Sequence, residues 1–204
     1  MDRSVLPLAA PRGERADAVR NRLHLLVTAR EMLAEQGADT LTMDGLAERA
    51  GLGKGTVFRR FGTRAGIFQA LLDDDERAIQ EQVLSGPPPL GPGAPPADRL
   101  IAYGQARVGF LIDHREIARA ALDGSQPVPA GAETPLSRLH IRMLLGQLDL
   151  GVADLDVLAI QLTAALDGPL LLYLSASDLT ESAQRTGQRI AQGWQDLVQC
   201  VCRP

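Results

Sequence analysis

The chain has 204 residues, of which 45% are hydrophobic and 23% are charged, and its formal net charge at pH 7 is −4. These proportions are typical of globular proteins and exclude a disordered, fibrous or collagen-like chain. Two cysteines are too few for a disulfide scaffold or a four-ligand structural zinc site. The longest apolar run, Leu162 to Ala176, is interrupted by Asp167 and Pro169, so we predict no membrane span. The N-terminal apolar stretch is short for a signal peptide, which favours a cytoplasmic protein.

Charge is distributed unevenly along the chain. Residues 1–66 carry eleven basic and eight acidic side chains, a balance of +3, whereas residues 67–204 carry ten basic and seventeen acidic ones, a balance of −7. This asymmetry favours contact between the first third of the chain and a polyanion. A random scatter of charge is the alternative interpretation.

The sequence predicts four segments. Residues 1–18 are expected to form a flexible arm, with a helical period taking over from about Asp17. Residues 19–84 form the next segment. The stretch from Ser85 to Pro96 holds six prolines and three glycines, which forbid regular structure, so residues 85–96 are predicted to be a linker between domains. Residues 97–204 form the last segment.

Four helices are predicted before the linker. The first should end at Gly37, the second begins after an N-cap at Thr42 and ends at Gly51, and the third ends at Gly62. Thr63 is expected to cap the fourth helix. The side chains predicted to face the core are Leu23, Leu26, Val27, Leu33 and Ala34 in the first helix, Leu46, Ala47 and Ala50 in the second, Val57 and Phe61 in the third, and Ile67, Phe68, Leu71, Leu72, Ile79 and Val83 in the fourth.

The pattern after the linker is again helical. A helix around Leu100 to Leu111 is followed by a short one at Ile117 to Leu122 and by a third that opens at Thr134 and Pro135. The third should bury Leu136, Leu139, Met143 and Leu144. Two longer helices follow, one from an Asp154 cap to Tyr173 with a kink at Pro169, and one from an Asp178 cap. The seam of that last helix comprises Leu179, Ala183, Thr186, Ile190, Trp194, Leu197 and Val201. No strand-like alternation is seen, so we predict an all-α fold.

Residues 42–61 carry the most informative pattern. Two short helices flank a glycine turn, as in a helix-turn-helix whose second helix enters the major groove of DNA. Helical geometry places Val57 and Phe61 on the core side of that second helix and Gly55 and Arg59 opposite them. Arginine, threonine and exposed backbone suit contacts to phosphates and base edges. An ordinary surface hairpin is the alternative.

These residues resemble the tetracycline-repressor (TetR) family of transcriptional regulators. The resemblance is carried by the segment Ala29 to Gly37, by Leu46 to Phe61 and by Gly62 to Phe68, and it extends over about residues 19–79. It implies an N-terminal three-helix DNA-binding domain and a C-terminal helical bundle that binds a small effector and forms a homodimer. The expected function is a regulator, usually a repressor, that binds a near-palindromic double-stranded DNA operator and is released by the effector.

The resemblance also implies roles for individual residues. Thr42 would anchor a phosphate at the second helix, and Arg64 would hold one at the start of the fourth. Phe58 departs from the tyrosine that is common in the family and cannot donate a hydrogen bond to phosphate, so packing or a thymine-methyl contact is expected instead. The predicted DNA-binding residues are Thr42, Lys54, Gly55, Thr56, Phe58, Arg59, Arg60 and Arg64.

The C-terminal segment gives weaker signals. A mostly apolar pocket with a few orienting groups would draw on the polar and aromatic residues within its apolar helices. The candidate effector-binding residues are Tyr103, Arg107, Phe110, His114, His140, Met143, Asp167 and Tyr173. The homodimer is expected to form through the last two helices, Leu158 to Tyr173 and Leu179 to Val201.

No catalytic arrangement is predicted. The three histidines lack metal-ligand spacing, and Cys200 and Cys202 lie on different faces of a helix, so neither a metal site nor a nucleophile is indicated. No phosphate loop or dinucleotide fingerprint is present, and we predict no cofactor. The alternative functions are a small all-α enzyme and a protein-interaction module that does not bind DNA.

Overall fold

The computed structural model describes residues 12–122, 135–175 and 182–203. Every regular element in these ranges is helical, which confirms the all-α prediction. A short 3₁₀ turn, Ala38–Thr40, separates the first two α-helices. The helices are α1 (Arg12–Gln36), α2 (Met43–Arg49), α3 (Lys54–Phe61), α4 (Arg64–Ser85), α5 (Pro96–Asp113), α6 (Arg115–Ala121), α7 (Pro135–Leu145), α8 (Leu155–Ser175) and α9 (Ala183–Val201).

The chain divides into two compact units, one ending at Ile67 and the other beginning at Phe68. This division lies inside α4, whereas the sequence indicated a boundary at residues 85–96. Residues 86–95 do contain turns and no helix, and α5 starts at Pro96, a residue that the first turn of a helix tolerates. The prolines therefore predict correctly where α4 ends and α5 begins. They do not predict how the helices group into compact units, because that grouping depends on contacts between distant residues.

Helix ends in the N-terminal unit are confirmed at several positions. Gly37, Gly51 and Gly62 have φ angles of 81°, 64° and 70°, in the left-handed region that favours glycine after a helix. Thr42 Oγ1 accepts a hydrogen bond from the Gly45 amide at 3.0 Å, and Thr63 Oγ1 accepts one from the Gly66 amide at 3.1 Å. The predicted helix-ending glycines and N-caps between α1 and α4 are thus present.

The beginning and the buried face of α1 differ from the prediction. The helix begins at Arg12, so residues 12–18 of the expected arm are helical; residues 1–11 of that arm lie outside the described residues. Leu23 and Val27, expected in the core, are 50% and 51% exposed. The run of adjacent apolar residues around them has no unique helical face, and tertiary packing selects one. That face consists of Leu25, Leu26, Thr28, Ala29 and Met32.

The C-terminal unit has an apolar core to which α5 and α9 contribute closely packed surfaces. Trp194 of α9 is 3% exposed and donates its indole N–H to the Leu100 carbonyl at 2.9 Å. A Cβ atom placed on Gly104 would lie 2.1 Å from the Trp194 indole nitrogen. Glycine at position 104 therefore makes room for the tryptophan, and this contact fixes the crossing of α5 with α9.

Two further predictions for this unit are wrong. Leu139 and Met143 of α7 were expected to be buried but are 53% and 46% exposed, because the buried face contains the polar Ser137 and His140, which hydropathy scoring discounts. The last helix begins at Ala183, and its N-cap is Ser182, whose Oγ accepts from the Arg185 amide at 3.4 Å. The predicted cap Asp178 and the seam residue Leu179 lie outside the described residues, as does Thr134.

Helix α8 begins where it was predicted to begin. Asp154 Oδ1 accepts hydrogen bonds from the amides of Asp156 and Val157, each at 3.0 Å. The helix continues through Pro169 to Ser175. Residues Leu155–Leu174 have a mean hydropathy of 1.6, and one third of this stretch is buried. By length and composition alone, this stretch could cross a membrane. The core helix of a soluble protein meets the same two criteria.

Candidate functional site

The N-terminal unit contains the predicted helix-turn-helix. Helix α2 packs against α3, and the intervening turn is closed by a 3.0 Å hydrogen bond from the Leu52 amide to the Ala47 carbonyl. Val57 of α3 is fully buried and Phe61 is half-buried. These contacts fix one side of α3 against α2 and the core. The opposite side of α3 is therefore exposed.

The outward side of α3 carries the side chains that the sequence singled out. Lys54, Gly55, Phe58, Arg59 and Arg60 are exposed. Thr56 is half-buried. The two arginines lie in the last turn, where a positive charge also interacts favourably with the helix dipole. The predicted residues of α3 therefore share one accessible surface, which we call the α3 face.

The cations of the α3 face are held by weak surface contacts. Lys54 Nζ lies 2.7 Å from the Asp44 carboxylate, and both side chains are more than half exposed. Arg59 donates its Nε–H to the Gly55 carbonyl at 3.1 Å, and Arg60 donates from Nη2 to the Ala18 carbonyl at 3.0 Å. Exposed ion pairs contribute only about 0–1 kcal/mol, so a phosphate can replace Asp44 as the partner of Lys54 at little cost.

A groove of about 550 Å³ runs between α1 and α3. Its walls are mainly polar, and they bring together Thr56, Arg59 and Arg60 with residues of the first helix. The first-helix residues are Asp17, Ala18 and Asn21. The sequence analysis did not include Asn21, because a single asparagine in a helix gives no signal until the fold places it beside α3.

Gly55 has no structural requirement for glycine inside its own chain. Its backbone is helical, and a Cβ atom added there would meet nothing within 4 Å. Glycine in a helix costs roughly 0.5–1 kcal/mol relative to alanine. Glycine at position 55 therefore lowers the stability of the helix without being required by packing. We expect it to be there because another molecule approaches the backbone of α3 closely.

Arg64 makes contacts different from those expected of a phosphate ligand. Its Nε donates to the Leu41 carbonyl at 2.7 Å and its Nη2 to the Ala38 carbonyl at 2.6 Å. Both carbonyls belong to the segment between α1 and α2. Arg64 therefore ties the start of α4 to that segment, and at least two of its five N–H donors serve the fold.

A pair that the sequence analysis missed braces the same unit. Arg49 of α2 forms a two-point ion pair with Glu35 of α1, and its Nη1 lies 2.6 Å from Glu35 Oε2. The hydrogen bond from Arg49 lowers the pKa of the Glu35 carboxyl below its ordinary value. The two residues are fourteen positions apart, so only the fold reveals the pair.

Some of the candidate effector residues come together in the C-terminal unit. The buried Arg107 lies 2.9 Å from the Asp167 carboxylate and 2.7 Å from that of Glu76. Burial alone would lower the pKa of Arg107, but these two carboxylates raise it above its ordinary value. Burial raises the pKa of Glu76, against the opposing charge of Arg107.

Other candidates form separate groups. The Phe110 and His114 rings stack with centroids 4.4 Å apart, and Met143 is largely exposed. Tyr173 lines two cavities, one of about 190 Å³ and one of about 520 Å³ between α8 and α9, and its hydroxyl is buried without a hydrogen-bond partner. Within the described residues the eight candidates therefore take part in several separate contacts, and their grouping in one effector pocket stays a prediction.

Tyr103 and His140 form another buried group that includes two residues the sequence analysis missed. The Tyr103 hydroxyl lies 2.6 Å from Ser137 Oγ, and its ring centroid is 4.9 Å from that of His140. Arg99 lies one helical turn before Tyr103 and is 8% exposed. The position of Arg99, four residues before Tyr103 and eight before Arg107, was a signal available in the sequence.

A protein-family model matches one segment of the chain, which lies mostly in the N-terminal unit. Residues 25–71 match the profile of the family described as bacterial regulatory proteins, tetR family. The matched segment starts in α1, contains α2 and α3 entirely and ends in α4. It includes the whole α3 face.

Solved structures with similar folds are TetR-family regulators. One from Pectobacterium atrosepticum is 21% identical with a TM-score of 0.67, covering 93% of this chain and 98% of that one. A regulator described as a TetR-family protein from Rhodococcus sp. is 18% identical with a TM-score of 0.55, covering 91% and 100%. A TetR/AcrR-family regulator from Thermobifida fusca is 18% identical with a TM-score of 0.54, covering 87% and 97%. At these identities the likeness shows the fold. No curated protein sequence matches the chain.

Proposed function

Because residues 25–71 carry the DNA-binding domain of the TetR family of bacterial regulatory proteins, we propose that this chain is a ligand-responsive repressor of transcription. It binds a near-palindromic operator as a homodimer in the cytoplasm, and a small effector releases it. The observation that carries the proposal is the α3 face, an accessible cationic surface on the second helix of a helix-turn-helix.

The residues of the interface have different tasks. We assign Arg59, which is exposed, and Thr56, which is half-buried, to base edges, and Lys54 and Arg60 to phosphates. Thr42 uses its side-chain oxygen as the cap of α2 and can still donate its hydroxyl hydrogen to a phosphate. Arg64 contributes mainly by holding the segment before α2. Phe58, 50% exposed, offers an apolar edge to a thymine methyl group.

The apolar surface of α8 supports the proposal of a homodimer through α8 and α9. Val157, Ile160, Ala164 and Leu172 are exposed and recur at helical spacing along one side. Leu172 alone is 76% exposed. A contiguous apolar stripe of this kind is typical of a protein interface, and a two-fold dimer would bury it against its own copy.

Dimerisation sets the form of the operator. Two copies of α3 related by a two-fold axis would enter successive major grooves about 34–36 Å apart, or a multiple of this distance. An effector that binds the C-terminal unit would shift the equilibrium only by its differential affinity for the DNA-binding and released states. The candidates for its site remain Tyr103, Arg107, Phe110, His114, His140, Met143, Asp167 and Tyr173.

The test is selection of duplex DNA from a random pool by the full-length protein, followed by gel-shift titration over a range of salt concentrations. We expect a near-palindromic consensus. Arg59→Ala should weaken discrimination against mismatched sites by about 1–3 kcal/mol, and Lys54→Gln should reduce the salt slope by about one unit.

Arg138→Ala is the matched control, because Arg138 is an exposed arginine on α7. It should leave both affinity and salt slope unchanged. A protein that binds no duplex at low ionic strength, or that binds equally well in all three variants, would refute the DNA-binding assignment and favour a protein-interaction module or an enzyme.

A further inference from the structure

Helix α5 carries three buried polar residues at intervals of four positions. Arg99, Tyr103 and Arg107 are 8%, 6% and 8% exposed. Residues four apart lie above one another on a helix, so the three side chains form a stripe on one side of α5. We call this set the α5 stripe. It runs through a core that is built mainly from leucine, isoleucine and valine.

One end of the α5 stripe is fully compensated. Arg107 is held between Glu76 of α4 and Asp167 of α8, at 2.7 and 2.9 Å. The two carboxylates balance the charge of the guanidinium, and each accepts one hydrogen bond from it. At the centre, the Tyr103 hydroxyl bonds to Ser137 at 2.6 Å. Neither of these groups calls for an additional partner.

The Arg99 end is different. Its hydrogen bond to a protein acceptor runs from Nη2 to the Val83 carbonyl at 3.2 Å, near the end of α4. Its Nε is buried and has no partner, and in the described part of the chain no carboxylate lies within ion-pair distance of it. The ring nitrogen Nε2 of His140, a residue 93% buried, also has no hydrogen-bond partner among the described residues.

These two orphaned groups act on each other electrostatically. Burial, and then the charge of Arg99, lower the pKa of His140 to about 4, so the imidazole is neutral at physiological pH. The site therefore holds one uncompensated positive charge and one neutral group that can form a hydrogen bond. A buried charge without a counter-charge is costly, and a water molecule would supply a hydrogen bond but no compensating charge.

We propose that the Arg99 end of the α5 stripe binds the carboxylate of a small organic acid with an apolar body. The proposal rests on the effector-controlled function above and names the chemical class of the effector. A carboxylate fits the paired donors of a guanidinium and accepts a hydrogen bond from His140. The core cluster of this unit is mainly apolar, which favours an acid with an apolar body over a sugar or a nucleotide.

The experiment measures thermal unfolding of the full-length protein with hexanoate, benzoate and 3-phenylpropionate. The corresponding uncharged amides and inorganic phosphate are added in parallel at equal ionic strength. At least one carboxylate should raise the Tm, by about 5–10 °C at one hundred times its Kd, and its amide should have little effect.

Arg99→Met removes the charge and keeps a side chain of similar length. It should weaken binding of the active carboxylate about 10-fold or more, while the unliganded Tm stays the same or rises, because an uncompensated charge has been removed. Arg138→Met is the control with the same chemical change at an exposed position, and it should respond to the acid like the parent protein.

Four results would overturn the proposal. They are a shift by the amide equal to that of the acid, a full response in Arg99→Met, a shift by phosphate with none by the carboxylates, and no shift with any carboxylate. DNA binding by gel shift, measured on the same samples, separates the two ideas. If only the carboxylate proposal is wrong, the acids have no effect but the protein still binds its operator. If only the proposed function is wrong, the acids still raise the Tm but the protein binds no DNA.

Discussion

Gly55 illustrates how a single residue can be placed for a partner outside the chain. In the described structure nothing surrounds the position of its absent Cβ, and its backbone is helical. We expect Gly55→Ala to raise the free energy of unfolding by about 0.5–1 kcal/mol. The same change should weaken DNA binding, because the methyl group would keep the backbone of α3 away from DNA.

Chemical denaturation and gel-shift titration of the same preparation measure the two effects. The matched control is Gly109→Ala on α5, where an added Cβ also meets nothing and where no DNA contact is proposed. It should share the stabilisation and leave affinity alone. If Gly55→Ala binds DNA as tightly as the parent, close approach at this position is disproved.

His140 should make stability depend on pH. Its pKa in the folded protein is about 4, below the ordinary 6.5, because of burial and the neighbouring Arg99. The unfolded chain takes up the proton more readily, so the stabilising contribution is complete above pH 6.5 and is lost as the pH falls towards 4. The loss should amount to about 2–3 kcal/mol.

The measurement compares the parent protein with His140→Gln by denaturant unfolding between pH 7 and pH 4. The variant is needed as a reference because Glu76 also titrates. Its pKa is raised in the folded protein, so it adds stability as the pH falls, which opposes the effect of His140. The parent should lose more stability than the variant over this range. Parallel curves would show that His140 does not titrate in this way.

At the scale of helices, the close crossing of α5 and α9 depends on the glycine at position 104, which has no side chain. Gly104→Ala would place a methyl group 2.1 Å from the Trp194 indole nitrogen, and the tryptophan also donates its indole N–H to Leu100. We expect a loss of about 2–4 kcal/mol in the free energy of unfolding. Gly109→Ala on the same helix is again the control, and equal stabilities of the two variants would contradict this account.

Helix ends could be predicted from the sequence because their signals are local. Gly37, Thr42, Gly51 and Gly62 act through their own backbone or through a residue three positions away. Buried faces were harder. Leu23 and Val27 belong to a nearly continuous apolar run, and only packing decides which side of it faces the core. Long-range partners such as Arg49 with Glu35 leave no local trace at all.

The candidate site follows the same rule. The α3 face was predictable because it lies within one helix and its geometry follows from helical rotation. The contacts of Arg64 with the Leu41 and Ala38 carbonyls were not predictable, because they join residues more than twenty positions apart, and its expected role at a phosphate stays a prediction. In the C-terminal unit, Glu76 joins Arg107 from a helix thirty-one residues away, a relation that composition and spacing do not encode.

For the whole molecule, the exposed stripe of α8 predicts association. Leu172→Gln should shift the protein towards monomer by orders of magnitude in dimer Kd and lower its affinity for a palindromic duplex. Sedimentation over a range of concentrations measures the first effect. Leu139→Gln is the control with the same chemical change, because Leu139 of α7 is another exposed leucine, at 53% against 76% for Leu172. A parent protein that stays monomeric at micromolar concentration would rule out this interface.

The position of the unit boundary has a practical consequence for isolating the DNA-binding part. Helix α4 runs without interruption from Arg64 to Ser85, while the N-terminal unit ends at Ile67. A fragment cut at Ile67 would retain a single turn of that helix, which is too short to persist in water. A fragment that stops instead within residues 86–95 would keep the helix whole, and it is the shorter piece worth purifying.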